Sequence, residues 1–127
     1  MTIDHIAVYT LNIERLSDFY ENYFYAIRTN DYEDKKTGII KRNLKFDGGV
    51  KLVLITFPDL ETDTAKRPHA GYGHLCISAG SRKGVDSVTA RVFKAGYHVI
   101  GIPGINNDGL YESCIQDPDG NHVEIIE

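Results

Sequence analysis

Apolar and polar positions change period several times along the chain, and each change marks an element. Residues 3–10 alternate, with Ile3, His5, Ala7 and Tyr9 on one face and Ile6 and Val8 on the other, as in a strand. Over 13–25 the period lengthens to that of a helix: Leu16, Phe19, Tyr20, Tyr23 and Phe24 recur on one side, and Asn12 stands at the N-cap. Strands are expected at 26–33, 38–46 and 50–57, the last two joined by the turn Asp47-Gly48-Gly49. Residues 58–71, with Pro58 and Pro68, read as a linker.

The order then repeats. Gly73-His74-Leu75-Cys76-Ile77-Ser78 reads as a strand, and 82–95 as a helix with Val85, Val88, Val92 and Phe93 on one side and Gly96 as its stop. Further strands are expected at 97–102, 110–116 and 122–126. Both halves follow a β-α-β-β-β order, repeated after about 65–70 residues. The expected organisation is one domain over 1–127, with a first module at about 1–57, the linker, and a second module at about 72–127.

Composition narrows the function. At 127 residues the chain can bury a real core, and 42% apolar with 25% charged residues is ordinary for a soluble protein. A net charge of −4 without a Lys/Arg cluster argues against nucleic acid as a partner. No apolar run approaches the length of a membrane span, and Met1-Thr2-Ile3-Asp4-His5 does not resemble a signal peptide, so a cytoplasmic location is expected. Cys76 and Cys114 lie in strand-like runs without C-x-x-C spacing and read as buried, reduced thiols.

The candidate chemistry sits in Asp117-Pro118-Asp119-Gly120-Asn121-His122-Val123-Glu124-Ile125. Its first half is turn chemistry and its second half a strand, with Val123 and Ile125 on one face and His122, Glu124 and Ile126 on the other. A carboxylate within an apolar strand is costly unless a cation or donor set meets it. His5 and His74 occupy equivalent places in the first strands of the two halves. A strand histidine alone reads as a hydrogen-bonded core or surface imidazole. Two at repeat-equivalent positions, with one strand carboxylate, have the composition of a facial triad for a divalent ion.

The β-α-β-β-β repeat, His5, Gly71-Tyr72-Gly73-His74-Leu75 and the terminal stretch together resemble the vicinal oxygen chelate superfamily. That group includes glyoxalase I, extradiol dioxygenases, methylmalonyl-CoA epimerase, and fosfomycin- and bleomycin-resistance proteins. The resemblance implies an α+β fold of paired βαβββ modules, forming a curved, mostly antiparallel sheet with the helices on its outer face. It implies a divalent cation (Ni, Zn, Mn, Fe or Co) held by His5, His74 and Glu124, with Glu124 also a catalytic candidate. It further implies a small-molecule substrate and a homodimer, in which glyoxalase I relatives take each site's ligands from both subunits.

One departure stands out. Glyoxalase I-like members carry a further Glu ligand in the last strand of the first half, where this chain has Val53. Thr56 and Asp59 are the nearest alternatives, and Thr56 needs a one-residue bulge to reach the position. The first-choice activity is a glyoxalase-like lyase or isomerase. The alternatives are an extradiol-type dioxygenase, a fosfomycin-type thiol transferase, or a bleomycin-resistance-like protein that sequesters its ligand. Tyr111 and His122 are acid/base candidates if they face the metal, and Arg42 and Lys51 are candidates for an anionic substrate. His69 and His98 read as surface residues, and most of the eight tyrosines and five phenylalanines as packing.

Overall fold

The computed structural model describes residues 2–62 and 70–127. Two compact units divide at Thr64/Ala65. The first holds β1 (His5–Tyr9), α1 (Ile13–Phe24), β2 (Ile27–Asp34), β3 (Ile39–Lys45) and β4 (Lys51–Thr56). The second holds β5 (Leu75–Ser78), α2 (Arg82–Lys94), β6 (Val99–Ile105), β7 (Tyr111–Gln116) and β8 (His122–Ile126). The fold is α+β and the βαβββ repeat is present, with strand orders β1-β4-β3-β2 and β5-β8-β7-β6. In each sheet the first strand pairs parallel with the last, and the other pairings are antiparallel.

One face of each sheet is covered by its helix. In the first unit Leu16, Phe19 and Tyr20 of α1 are buried, as are Leu44, Leu52 and Leu54 of the sheet. In the second unit the buried set is Val85 and Val92 of α2 with Ile115, Val123 and Ile125. The helix starts follow from capping. Asn12 Oδ1 accepts from the Arg15 amide at 3.0 Å, and Ser81 Oγ accepts from the Gly84 amide at 3.1 Å. Helix α1 ends one residue short of the expected 25, because Tyr25 takes a left-handed conformation (φ 56°) and its amide turns back to Tyr20 O.

Strand β6 differs most from expectation. It runs to Ile105 instead of 102, and its pairing with β7 slips between Val99 and Gly101 and again between Gly101 and Gly104. The strand lies at the sheet edge, where Pro103 can lack a donor and bulges are tolerated.

Internal register relates the halves. Val53 pairs with Ala7, two residues beyond His5, and Glu124 pairs with Cys76, two residues beyond His74. The Thr10 amide donates to Ile55 O, and the Ala79 amide to Ile126 O, at matching places. Val53 is therefore the repeat partner of Glu124. Neither pairing of β4 contains a register shift, so the bulge that would bring Thr56 into that place is not there.

Candidate functional site

The terminal turn aims β8. Asp117, buried at the end of β7, accepts from the Asp119 amide at 3.0 Å and from the Asn121 amide at 2.9 Å through Oδ1. Asn121 Nδ2 adds bonds to both Asp117 oxygens. Gly120 supplies the positive φ of 86° that closes the turn. Alternation along β8 then sends Val123 and Ile125 into the core and Glu124 to the opposite face.

There His74 Nε2 meets Glu124 Oε2 at 2.7 Å. The Glu124 side chain is 21% exposed, so the carboxyl is largely withdrawn from water. Two thiols flank it in register, Cys76 on β5 and Cys114 on β7; lying on the face away from the helix, Cys76 is exposed and Cys114 half-buried, not buried as expected. Glu112, two residues before Cys114 on β7, shares this face. The neighbouring Glu112 carboxyl, then burial, pushes Glu124 above the usual carboxylate range, and the opposing pull of His74 is smaller. Burial, followed by the charges of Glu124 and Glu112, raises both thiols, so neither is a ready nucleophile. A shallow depression of about 160 Å3 opens beside Glu112 and Cys114, between Gly101, Gly104 and Asn106.

His5 begins β1 in the other unit. Its Nδ1 bonds Asp4 Oδ2 at 2.9 Å, and Lys51 Nζ reaches both oxygens of the same carboxylate at 2.9 and 3.1 Å. A histidine held at Nδ1 by a carboxylate has Nε2 as its lone-pair nitrogen, the arrangement common among metal-ligating imidazoles. Hydrogen bonds from His5 and Lys51 hold Asp4 below the usual carboxylate range. The donor types fit a divalent cation: two imidazoles with Nε2 as the ligand atom, and a partly dry carboxylate. Of the three, the structure shows His74 and Glu124 in direct contact. Among the described residues no group of three or more His, Cys, Asp or Glu is drawn together as a metal cage.

Other expected site residues fall elsewhere. Tyr111 lies on the helix-bearing face: its hydroxyl donates to Asp86 Oδ1 of α2 at 2.8 Å, and Arg82 stacks over its ring. Strand alternation separates it from Glu124, since Tyr111 shares the parity of buried Ser113 and Ile115. Arg42 likewise turns to the helix side. Its guanidinium bonds Asp31 on β2 and Ser17 and Glu14 on α1, so it serves the fold and is not offered to a substrate on the opposite face. The Lys51 ammonium is engaged by Asp4. His122 is exposed at the start of β8 with the parity of Glu124, and His98 is exposed. His69 lies outside the described residues.

Sequence reasoning missed Glu112 and Asp4. Glu112 shares the parity of Cys114, but that Cys114 stands beside Glu124 is strand register, which no local pattern gives. Asp4 carried no signal beyond being next to His5.

Two βαβββ modules, each sheet covered on one face by its helix, are the architecture of the vicinal oxygen chelate proteins. The chain belongs to the Glyoxalase/Bleomycin resistance protein/Dioxygenase superfamily, whose family model matches residues 2–125. It is 27% identical over 125 residues to the uncharacterized protein YqjT of Bacillus subtilis (strain 168), covering 96% of this chain and 95% of that one. Among solved structures it resembles a glyoxylase/bleomycin resistance protein/dioxygenase domain from Frankia sp. EAN1pec, at TM-score 0.84 and 17% identity, covering 99% of this chain and 96% of that one. It also resembles glyoxalase I from Zea mays, at TM-score 0.82 and 19% identity, over 97% of this chain but only 43% of the Zea mays chain. At these identities the two structures speak for the fold.

Proposed function

We propose that the chain is a divalent-metal-dependent enzyme that holds its ion through His5, His74 and Glu124. Its substrate is a small molecule presenting two adjacent oxygens. The observation that carries this reading is the 2.7 Å contact between His74 Nε2 and Glu124 Oε2, on a sheet face where an unpartnered carboxylate would be costly. The matching register of His5 and His74 and the Asp4 bond to His5 Nδ1 support the third ligand. The bound ion would supply Lewis acidity toward the two substrate oxygens. Glu124 would balance its charge, and Asp4 would hold the His5 ring in its ligating tautomer.

The first reaction we assign is a glyoxalase-like isomerisation of a hemithioacetal, formed from a 2-oxoaldehyde and a thiol, to a 2-hydroxy thioester. Its test is thioester formation by protein loaded in turn with Ni, Zn, Mn, Co and Fe(II). Turnover above metal-free protein is expected with at least one ion. Metal binding without such turnover would remove the isomerase reading. Val53 favours one second reading, because a valine at the repeat partner of Glu124 leaves a coordination position free. Oxygenase or thiol-transferase chemistry on a bidentate oxygen substrate would use that position. A purely sequestering protein has no need of the His74–Glu124 pair.

A further inference from the structure

We propose that the open face of the first sheet, turned away from α1, is an anion subsite in which Lys45, with Lys41 further along β3, holds a carboxylate at the far end of the small molecule. For the near end, at the ion, the inference rests on the metal-site reading above; the anion subsite itself stands on the first unit alone.

Register places the residues. Leu44, Leu52 and Leu54 are buried on the helix side, so the residues that alternate with them face the other way. On that face Lys45 of β3 stands directly opposite Lys51 of β4, and Lys51 directly opposite His5 of β1. The three form one row across neighbouring strands, which sets the Cα of Lys45 about 10 Å from that of His5. Lys41 has the same parity on β3 and stands opposite Ile55. Arg42, which lies between the two lysines in sequence, turns to the helix side and bonds Ser17 there.

The charges on this face are not matched. Like charges directly opposite each other on a sheet face are unfavourable. Lys51 is relieved by Asp4, whose carboxylate oxygens stand 2.9 and 3.1 Å from its ammonium. Lys45 and Lys41 are exposed, and among the described residues neither forms an ion pair. The other strand acid on this face, Asp34, stands at the end of the sheet opposite Ile39, where it accepts from the Lys36 amide.

The second sheet supplies the contrast. Its matching pairings, Cys114 with Glu124 and Gln116 with His122, set Gln116 at the place of Lys45, Glu112 at that of Lys41 and Glu124 at that of Val53. The repeat has therefore diverged in sign. One open face carries carboxyls, the complement of a cation. The other carries ammoniums, the complement of an anion.

The plain alternative is that these lysines keep a sheet edge from pairing with other chains. In the order β1-β4-β3-β2, however, β3 and β4 are the two inner strands and have no edge to protect. A merely solvated face gains from opposite charges across strands, and Lys45 faces its own kind. The ligand class is therefore a small molecule with two adjacent oxygens at one end and a carboxylate at the other.

The test uses the full chain loaded with Mn(II) and two chelators of one length, hexanohydroxamate and the monohydroxamate of adipic acid. They differ only in ending on a methyl or on a carboxylate. Calorimetry should show wild type preferring the carboxylate-ended chelator by about three- to fivefold, the size of an exposed ion pair. The preference should vanish in Lys45→Gln, survive in Lys45→Arg and shrink as salt is raised. Lys94→Gln, in α2 of the other unit, should keep it. Equal affinity of wild type for the two chelators, or a full preference retained in the double variant Lys41→Gln/Lys45→Gln, would overturn the proposal. A wild type that binds neither chelator would overturn the metal reading for the near end. Adipate titrated into metal-free protein then decides the anion subsite by itself. Shifts of the Lys45 and Lys51 backbone amide signals in NMR spectra, lost in Lys45→Gln, are expected, and unmoved β3 and β4 signals would overturn the subsite as well.

Discussion

Two residues bear most on the proposed site and its fold, and Val53 is the first. Its register with Ala7 mirrors that of Glu124 with Cys76, so valine stands at the place equivalent to Glu124 and the strand is not shifted. On the metal reading proposed above, Val53→Glu would add an anionic ligand and should tighten Mn(II) binding by about tenfold, measured by calorimetry. Unchanged affinity would mean that residue 53 does not face the metal. Arg42 is the second. It is 5% exposed and bonded to Asp31, Glu14 and Ser17, so its charge is compensated inside the fold. Asp31→Asn should cost about 1 kcal/mol in denaturant unfolding, less than a fully buried pair would, because Asp31 is 46% exposed. Its hydrogen bonds with Arg42 lower the Asp31 carboxyl. A carboxyl lowered on folding adds stability above its ordinary range and loses it as pH falls through the lowered one. The gap between wild type and Asp31→Asn should therefore shrink toward acid. A gap that persists at low pH would contradict the ion-pair account.

At the scale of elements, the helix α2 start is tight. A Cβ on Gly84 would lie 2.5 Å from the Ala79 carbonyl oxygen and 3.0 Å from Ala79 Cβ. Gly84→Ala gains up to about 1 kcal/mol of helix propensity. The clash with backbone costs about 1–3 kcal/mol and should win, giving a lower urea midpoint. A raised midpoint would mean that the β5–α2 turn relaxes freely. The elements themselves were legible in the sequence, because period and caps act locally: Asn12, Gly96 and the Asp117–Asn121 turn all behave as their chemistry dictates. Strand β6 was less so, since its two slips come from pairing with β7, which no local pattern encodes. The same limit hid the place of Glu112 on the face of Glu124, and set Tyr111 and Arg42 on the wrong face. His74 and Glu124, which the structure shows in contact, stand in two stretches that the sequence makes conspicuous.

At the scale of the whole molecule, no helix among the described residues is long and apolar enough to cross a membrane. Each unit leaves large apolar side chains open to solvent, Ile27 and Tyr32 on edge strand β2, and Ile102 and Ile105 on edge strand β6. Such edges are normally covered, and we propose that a second copy of the chain does so. Light scattering at micromolar concentration should give twice the 14.2 kDa of one chain, and the monomer mass would sink the homodimer. The central claim is the metal. Its most direct test is the ion content of untagged protein prepared without chelator and incubated in turn with Mn, Ni, Zn, Co and Fe(II). With at least one of these the account predicts about one ion per chain, lost in His5→Ala, His74→Ala and Glu124→Gln while the fold persists. Content well below one ion with every metal, or full content retained in those variants, would contradict it.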